Sequence, residues 1–190
     1  EGEFLKEFTE RMLSVVNRKT SMETSDKIMK GTIVSVLHTI NDSLSDTIQN
    51  DRTDILYGRD YIEEILLGLH FNISAFSFFQ TNSKGAERLY EKAREFVGET
   101  KDKVIFDLYS GTGTIAQLLA PVAKQVIGVE IIPEAILDAK ENAKRNNIEN
   151  CEFYCGDAKD AVKILKDKNI EPDAVILDPP RKGCDKEVLE

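Results

Sequence analysis

Four short stretches of this chain carry side chains suited to chemistry, and each follows an apolar run. DLYSGTGT (Asp107–Thr114) follows VIFDL, Glu130 closes QVIGVE, Gly156-Asp157 follows CEFYC, and LDPPRKG (Leu177–Gly183) closes AVILD. Gly111 and Gly113 permit a tight turn and let the backbone approach a ligand closely. Glu130 lies nineteen residues after Gly111. A carboxylate there can accept hydrogen bonds from both ribose hydroxyls of an adenosine, or stand as a solvated strand-end acid. Asp157 can accept from an adenine amino group or cap the helix that follows. Asp178 stands where cofactor and substrate would meet, on a turn stiffened by Pro179 and Pro180. Arg181 and Lys182 add positive charge suited to a phosphate or to a solvated loop.

These positions need a scaffold that gathers strand ends. VIFDL (Val104–Leu108) reads as a strand buried on both faces, and QVIGVE (Gln125–Glu130), CEFYC (Cys151–Cys155) and AVILD (Ala174–Asp178) as three further strands. Helical patterns separate them. Ile115, Leu118 and Leu119 carry one, ended by Pro121. Ala135, Ile136, Ala139 and Ala143 carry the next, with Pro133 in its first turn. Ala161, Val162 and Leu165 carry the third. Strand and helix alternating four times predicts a parallel, doubly wound sheet, whose ligands bind outside the carboxyl ends of the strands. Upstream, Asn82 or Ser83 caps a helix whose expected buried stripe is Leu89, Ala93, Phe96 and Val97.

Before residue 76 the rhythm differs. Phe4, Leu5, Phe8, Met12, Val15 and Val16 suggest an amphipathic first helix. Gly31–Ile40 reads as a strand, Asn41–Asp54 as a polar loop, and Ile55–Ser74 as strands turning at Gly58-Arg59-Asp60. Two regions are therefore expected, a small α+β segment over 1–75 and a ligand-binding domain over 76–190.

The 190 residues are 41% hydrophobic and 31% charged, as in a soluble globular protein. The formal net charge of −9 counts against strong non-specific binding of nucleic acid by the chain as a whole. No apolar run is long enough to span a bilayer, and EGEFLKEFTERM is no signal peptide, so no membrane partner is expected. Three cysteines (Cys151, Cys155 and Cys184) are far from disulfide-scaffold density, which points to a reducing cytoplasm. Cys151 and Cys155 lack a second pair, so no metal site is expected. At this point Ala116, where the dinucleotide fingerprint has its third glycine, leaves NAD open as a ligand, since alanine is allowed there.

SFFQTN (Ser77–Asn82), DLYSGTGT, GVE (Gly128–Glu130), GDA (Gly156–Ala158) and LDPPRKG, in that order and spacing, resemble the RNA uracil-5 methyltransferases of ribosomal and transfer RNA. The resemblance covers residues 76–190 well, and 1–75 more loosely as the family's central, RNA-facing segment. FFQTN and DPPRKG are its specific part. Amino-group methyltransferases typically follow Asp/Asn-Pro-Pro with an aromatic residue, and this chain has Arg181. The resemblance implies an α/β, doubly wound, Rossmann-like class I methyltransferase domain, incomplete at its C-terminal end, behind a small α+β segment. It implies S-adenosyl-L-methionine as cofactor, contacted by Gln80, Tyr109, Glu130, Asp157 and Asp178, with the Gly111 turn beneath it. Phe78 would pack on the flipped-out uracil, and Arg181 would face the RNA. The implied partner is structured RNA, ribosomal RNA before transfer RNA.

The implied chemistry asks for more. Uracil C5 is a poor nucleophile until a cysteine thiolate adds to C6, after which C5 takes the methyl group and a base removes its proton. The target base must also leave its helix or loop. In the family the nucleophilic cysteine and the base lie beyond the Asp-Pro-Pro loop. Both are expected after Glu190, so the chain is read as an inactive fragment, with Cys184 a loop cysteine near the pocket. Neither an iron–sulfur cluster motif nor an N-terminal RNA-binding domain is visible. Two alternatives stay open: a methyltransferase for another acceptor, such as a base or protein amino group, and a non-catalytic RNA-binding module that retains the cofactor fold.

Overall fold

The computed structural model describes residues 2–18, 33–42, 52–98, 100–167, 169–181, 183–184 and 186–188. Gly31, Thr32, Ser43–Asp51 and Lys182 lie outside the described residues, as does the side chain of Val162. The chain forms two compact units, Glu1–Ile62 and Glu63–Glu190. The division falls before residue 63, whereas the rhythm of the sequence changes near residue 76.

The first unit has helix α1 (Gly2–Arg18) and antiparallel strands β1 (Ser35–Ile40) and β2 (Arg52–Gly58), with an irregularity at Val36/Leu37. β2 takes in Arg52–Asp54, which the polar pattern assigned to a loop; cross-strand pairing with His38–Ile40 overrides their polar character. α1 also turns differently from expectation. Thr9 is buried, with Leu5, Met12 and Val16 half-buried on its side, while Phe4, Phe8 and Val15 are exposed. The Thr9 hydroxyl donates to the Leu5 carbonyl at 2.8 Å, which lets a polar residue occupy the inner face.

Strand β3 (Tyr61–Leu66) pairs with β4 (Leu69–Ser74). In the second unit helix α2 (Ser83–Val97) comes next, and the Asn82 side chain accepts from the Gly85 N–H as expected of a cap. The stripe expected on α2 is displaced. Ala86 and Tyr90 are buried with Ala93 and Val97 half-buried, while Leu89 and Phe96 are exposed at 57% and 89%. Positions 86, 90, 93 and 97 keep the helical spacing, but Tyr90 supplies the bulk. It packs with Leu66, Phe71, Ile73, Ala86 and Leu118.

Beyond α2 come β5 (Thr100–Leu108), α3 (Thr114–Leu119), β6 (Ala123–Glu130), α4 (Pro133–Arg145), β7 (Cys151–Cys155), α5 (Ala158–Asp167) and β8 (Ala174–Leu177). A 3-10 turn over Ala120–Val122 ends α3 at Pro121. The four strands form a parallel sheet in the order β7-β6-β5-β8. The chain steps outward from β5 to β7 and then returns to the other side of β5. That reversal makes the carboxyl end of β5 a topological switch point, where such sheets bind their ligands in a crevice. Both faces of the sheet are covered. Ile105 and Val126 pack with Ala116, Leu119, Ile136, Ala139 and Ala143 from α3 and α4, while Phe106, Leu108, Ile127 and Val129 pack with Ala158, Ala161 and Leu165 of α5. This two-sided burial is fullest in β5 and β6, whereas Glu152 and Cys155 of β7 and Val175 and Leu177 of β8 are exposed. The second unit thus has the expected α/β, doubly wound, Rossmann-like architecture.

Candidate functional site

The turn after β5 is held by its own acidic residue. Asp107 is fully buried, and its Oδ2 accepts from the Ala116 N–H at 2.9 Å, satisfying a first-turn donor of α3. Gly113 adopts φ 71°, and a Cβ there would stand 2.5 Å from the Phe153 ring and 2.9 Å from Ala139. Only glycine combines that backbone with that approach. Gly111, at φ 54°, is different: a Cβ there would meet nothing within 4 Å, so the space beside it is open.

Glu130 closes the crevice from β6. Its Oε2 accepts from the Gly111 N–H at 3.0 Å, and its Oε1 from the Ile131 and Ile132 N–H groups at 2.8 and 3.0 Å. Three backbone donors fix the carboxylate, and Oε2 keeps acceptor capacity for one ligand hydroxyl. The Gly156 N–H donates to the Glu130 carbonyl at 2.9 Å, which brings the third strand end alongside. Asp157 is next, and its Oδ1 accepts from Lys159 N–H at 3.0 Å as the cap of α5. The capping role is thus occupied by one oxygen of Asp157.

The electrostatics tie these ends together. Burial pushes the Asp107 carboxyl up to about 7; the Ala116 N–H opposes that, and the charges of Asp178 and Glu130 add to it. Burial raises the Tyr90 hydroxyl to about 12, with Asp178 and then Asp107 contributing. Asp107 thus feels the charges of Asp178 and Glu130, and the Tyr90 hydroxyl of α2 those of Asp178 and Asp107. The sequence motifs do not point to Tyr90 as a neighbour; its position four residues after Ala86 was the available signal. Two buried polar atoms, Asp107 Oδ1 and Ser110 Oγ, have no hydrogen-bond partner among the described residues.

The remaining expected residues reach the structure in different ways. Tyr109 has φ 68° and packs against the α5-side core. Asp178 and Arg181 are exposed after β8. Phe79 turns inward onto Phe71 with ring centroids 5.9 Å apart, so the neighbouring Phe78 points out, 74% exposed, and Gln80 is half-buried. Cys151 and Cys155 are strand residues. The Cys151 thiol donates to the Ala116 carbonyl, and burial, with the Asp107 charge adding, raises it to about 12. A shallow groove of about 650 Å³ beside β7, lined in part by Lys140, Lys144 and Tyr154, contains none of the three carboxylates. Among the described residues no cluster of His, Cys, Asp and Glu could hold a metal ion, and no helix is long and apolar enough to cross a membrane.

The sequence and fold resemble those of known proteins. Residues 99–179 match the model of a methyltransferase domain. The second unit carries a methyltransferase-domain fold. The chain is 60% identical over 161 residues to an "uncharacterized RNA methyltransferase" of Clostridium tetani, covering 85% of this chain and 35% of that protein. It is 54% identical over 159 residues to another protein of that name from Caldanaerobacter subterraneus, with 84% and 35% covered. The chain thus spans about a third of the length of the curated relatives it matches. Among solved structures it resembles the tRNA (uracil-54, C5)-methyltransferase of Pyrococcus abyssi, in complex with S-adenosyl-L-homocysteine, with a TM-score of 0.65 and 29% identity. That match covers 89% of this chain and 40% of the Pyrococcus chain.

Proposed function

We propose that the crevice binds S-adenosyl-L-methionine and that the protein transfers its methyl group to C5 of a uridine in structured RNA. The observation that carries the cofactor half is the Glu130 carboxylate, held by the Gly111 N–H of a glycine turn with open space beside it, at strand ends where the charges of Asp178 and Glu130 reach Asp107. Three carboxylates suit a ligand that carries a sulfonium and an ammonium charge. They oppose the pyrophosphate of NAD, and the Ala116 N–H near the start of α3, a donor such a group would seek, is already taken by Asp107. The methyltransferase-domain match and the Pyrococcus structure with S-adenosyl-L-homocysteine support the same choice.

When bound, the cofactor supplies an electrophilic methyl group. Glu130 Oε2 accepts a ribose hydroxyl, the Gly111 turn gives room to the ligand, and the remaining oxygen of Asp157 accepts from the adenine amino group. Asp178 stands at the fourth strand end, and we assign Tyr109 and Gln80 to the same ligand. Phe78, exposed and aromatic, offers a stacking face to an unstacked base, and Arg181 offers charge to the RNA backbone. Attack on C6 needs a thiolate. Cys151 is unsuited, because its thiol is buried and pushed to about 12. We assign the nucleophile and the base to sequence this chain does not contain, so the isolated chain binds cofactor without turnover.

Ribosomal RNA is the substrate the motif pattern implies. Transfer RNA is a second reading, favoured by the activity named for the Pyrococcus enzyme. Calorimetric titration of the 190-residue chain with S-adenosyl-L-homocysteine and with NAD tests the cofactor: the first should bind and the second should not. Glu130→Gln should weaken binding by roughly 1–3 kcal/mol. Equal affinity for both ligands, or an unchanged Glu130→Gln variant, would reject the site. Methyl transfer by the whole enzyme to a nitrogen instead of uracil C5, read by nucleoside mass spectrometry, would reject the acceptor.

A further inference from the structure

One face of α4 carries a ladder of polar side chains that no sequence motif announces. Asp138, Asn142 and Asn146 are spaced four apart and so lie on one helix face. Asn146 accepts from His70 N–H at 2.8 Å and donates to His70 C=O at 3.0 Å. Asn142 does the same for Asn72, at 2.8 and 3.0 Å. The two amides thereby pair with alternate residues of β4. The third rung continues past the end of the strand. The Ser77 hydroxyl donates to Asp138 Oδ2 at 2.7 Å, and the Ser74 and Ser77 hydroxyls are 2.6 Å apart. Ser77 has one hydroxyl proton and gives it to Asp138, so Ser74 is the donor to Ser77. The Ser77 N–H closes the turn onto the Ser74 carbonyl at 3.2 Å.

We propose that Ser74, Ser77 and Asp138 form a latch that positions the Phe78–Gln80 segment relative to Glu130. The far end of the same helix is fixed to the cofactor side. α4 starts three residues after Glu130, whose carboxylate holds both intervening N–H groups, Ile131 and Ile132, together with Gly111 of the glycine turn. A continuous bonded path runs from Gly111 through Glu130 and α4 to Asp138 and Ser77. It ends at the residues assigned to cofactor (Gln80) and to the target base (Phe78). Charge-assisted bonds such as Ser77 to Asp138 are the stronger kind, and the relay from Ser74 reinforces it. Ser74, Ser77 and Asp138 are positioning residues: they touch neither ligand and act through the loop. This inference rests on the cofactor reading above.

The test compares wild type with Asp138→Ala, Ser77→Ala and Asp138→Asn, which keeps an acceptor oxygen. Hydrogen–deuterium exchange reports the loop, and titration with S-adenosyl-L-homocysteine reports the crevice. Amides 76–81 should exchange about tenfold faster in Asp138→Ala and Ser77→Ala, while amides 104–108 keep their protection. Asp138→Asn should restore most of the loss. Ligand affinity should fall severalfold in Asp138→Ala, and no further when Gln80→Ala is added. Unchanged exchange in both alanine variants overturns the latch, whatever the wild-type affinity. Faster exchange with intact affinity, where Gln80→Ala alone weakens binding, also overturns it, because the loop would then hold Gln80 by other means. Wild-type protein that fails to bind S-adenosyl-L-homocysteine overturns the cofactor reading first, and the coupling falls with it.

Discussion

Replacing Asp107 with asparagine should make the protein more stable at neutral and alkaline pH and less able to bind its ligand. The amide oxygen of the new side chain keeps an acceptor for the Ala116 N–H, so the first turn of α3 is retained. What disappears is a buried charge. The carboxyl is pushed from 3.8 to about 7 by burial, with Asp178 and Glu130 adding to the effect. A folded-state value raised above the unfolded one means that the folded protein holds the proton more tightly. That contribution is complete below pH 3.8 and is lost as pH rises through about 7. Each unit of pH inside the window costs wild type about 1.4 kcal/mol relative to the variant. The stability gap between Asp107→Asn and wild type should therefore widen by about 3 kcal/mol from pH 5 to pH 8. Relaxation around the charge would reduce this figure and leave its sign. Urea melts of both proteins at half-unit intervals measure it directly, and titrating groups remote from Asp107 cancel in the difference. Parallel stability curves over that range would refute the claim that Asp107 is a desolvated acid.

The same geometry sets three further outcomes. Gly113→Ala should cost about 2–4 kcal/mol by urea melt, because the left-handed backbone and contact with the Phe153 ring both oppose a methyl group, whereas Gly111→Ala should cost about 1 kcal/mol and weaken ligand binding instead. Asn142→Ala should cost about 2–4 kcal/mol in the same assay, since it leaves the N–H and C=O of Asn72 without their α4 partner, while Asn146→Ala, on a more exposed rung, should cost less. The preference for S-adenosyl-L-methionine over S-adenosyl-L-homocysteine, which lacks the sulfonium charge, should grow with pH between 6 and 8, on the order of tenfold, as Asp107 ionises beneath the proposed site; calorimetry at three pH values with both ligands checks it.

The sheet was legible in the sequence because β5 is covered on both faces, so Val104–Leu108 is apolar but for the buried Asp107, whereas Ala174–Leu177 is an apolar run even though Val175 and Leu177 are exposed. The acidic strand ends were legible for the same reason, since a carboxylate closing such a run needs an explanation. The helices were harder. Phe96 and Leu89 look like the obvious anchors of α2, yet hydrophobicity only ranks faces, and the inner face is decided by what fits. There Tyr90 fills the space between Leu118 and Phe71, and small Ala86 lets the helix approach. The same logic hid Thr9 in α1, where a local hydroxyl bond removes the cost of burial. The boundary between the two regions was hidden as well, because pairing of β3 with β4 and the α4 ladder join residues 63–75 to the methyltransferase fold.

Least legible were the amides and hydroxyls of α4. Asp138, Asn142 and Asn146 read as ordinary helix-surface residues, and nothing in their spacing separates a solvated face from one pressed against a strand. Only the partner reveals the difference. β4 presents the N–H and C=O groups of His70 and Asn72 to that face, the Asn72 pair part-buried and the His70 pair exposed, and buried backbone groups must be satisfied. A hydrophobic face on α4 would have left the Asn72 groups without a partner. An amide supplies a donor and an acceptor from one side chain, so it matches an alternate strand residue without fixing the helix as another strand. The carboxylate at the last rung cannot do this, because it only accepts. Asp138 therefore marks where the pairing stops and a hydroxyl-bearing loop must begin, and that loop is the one that carries Phe78 and Gln80.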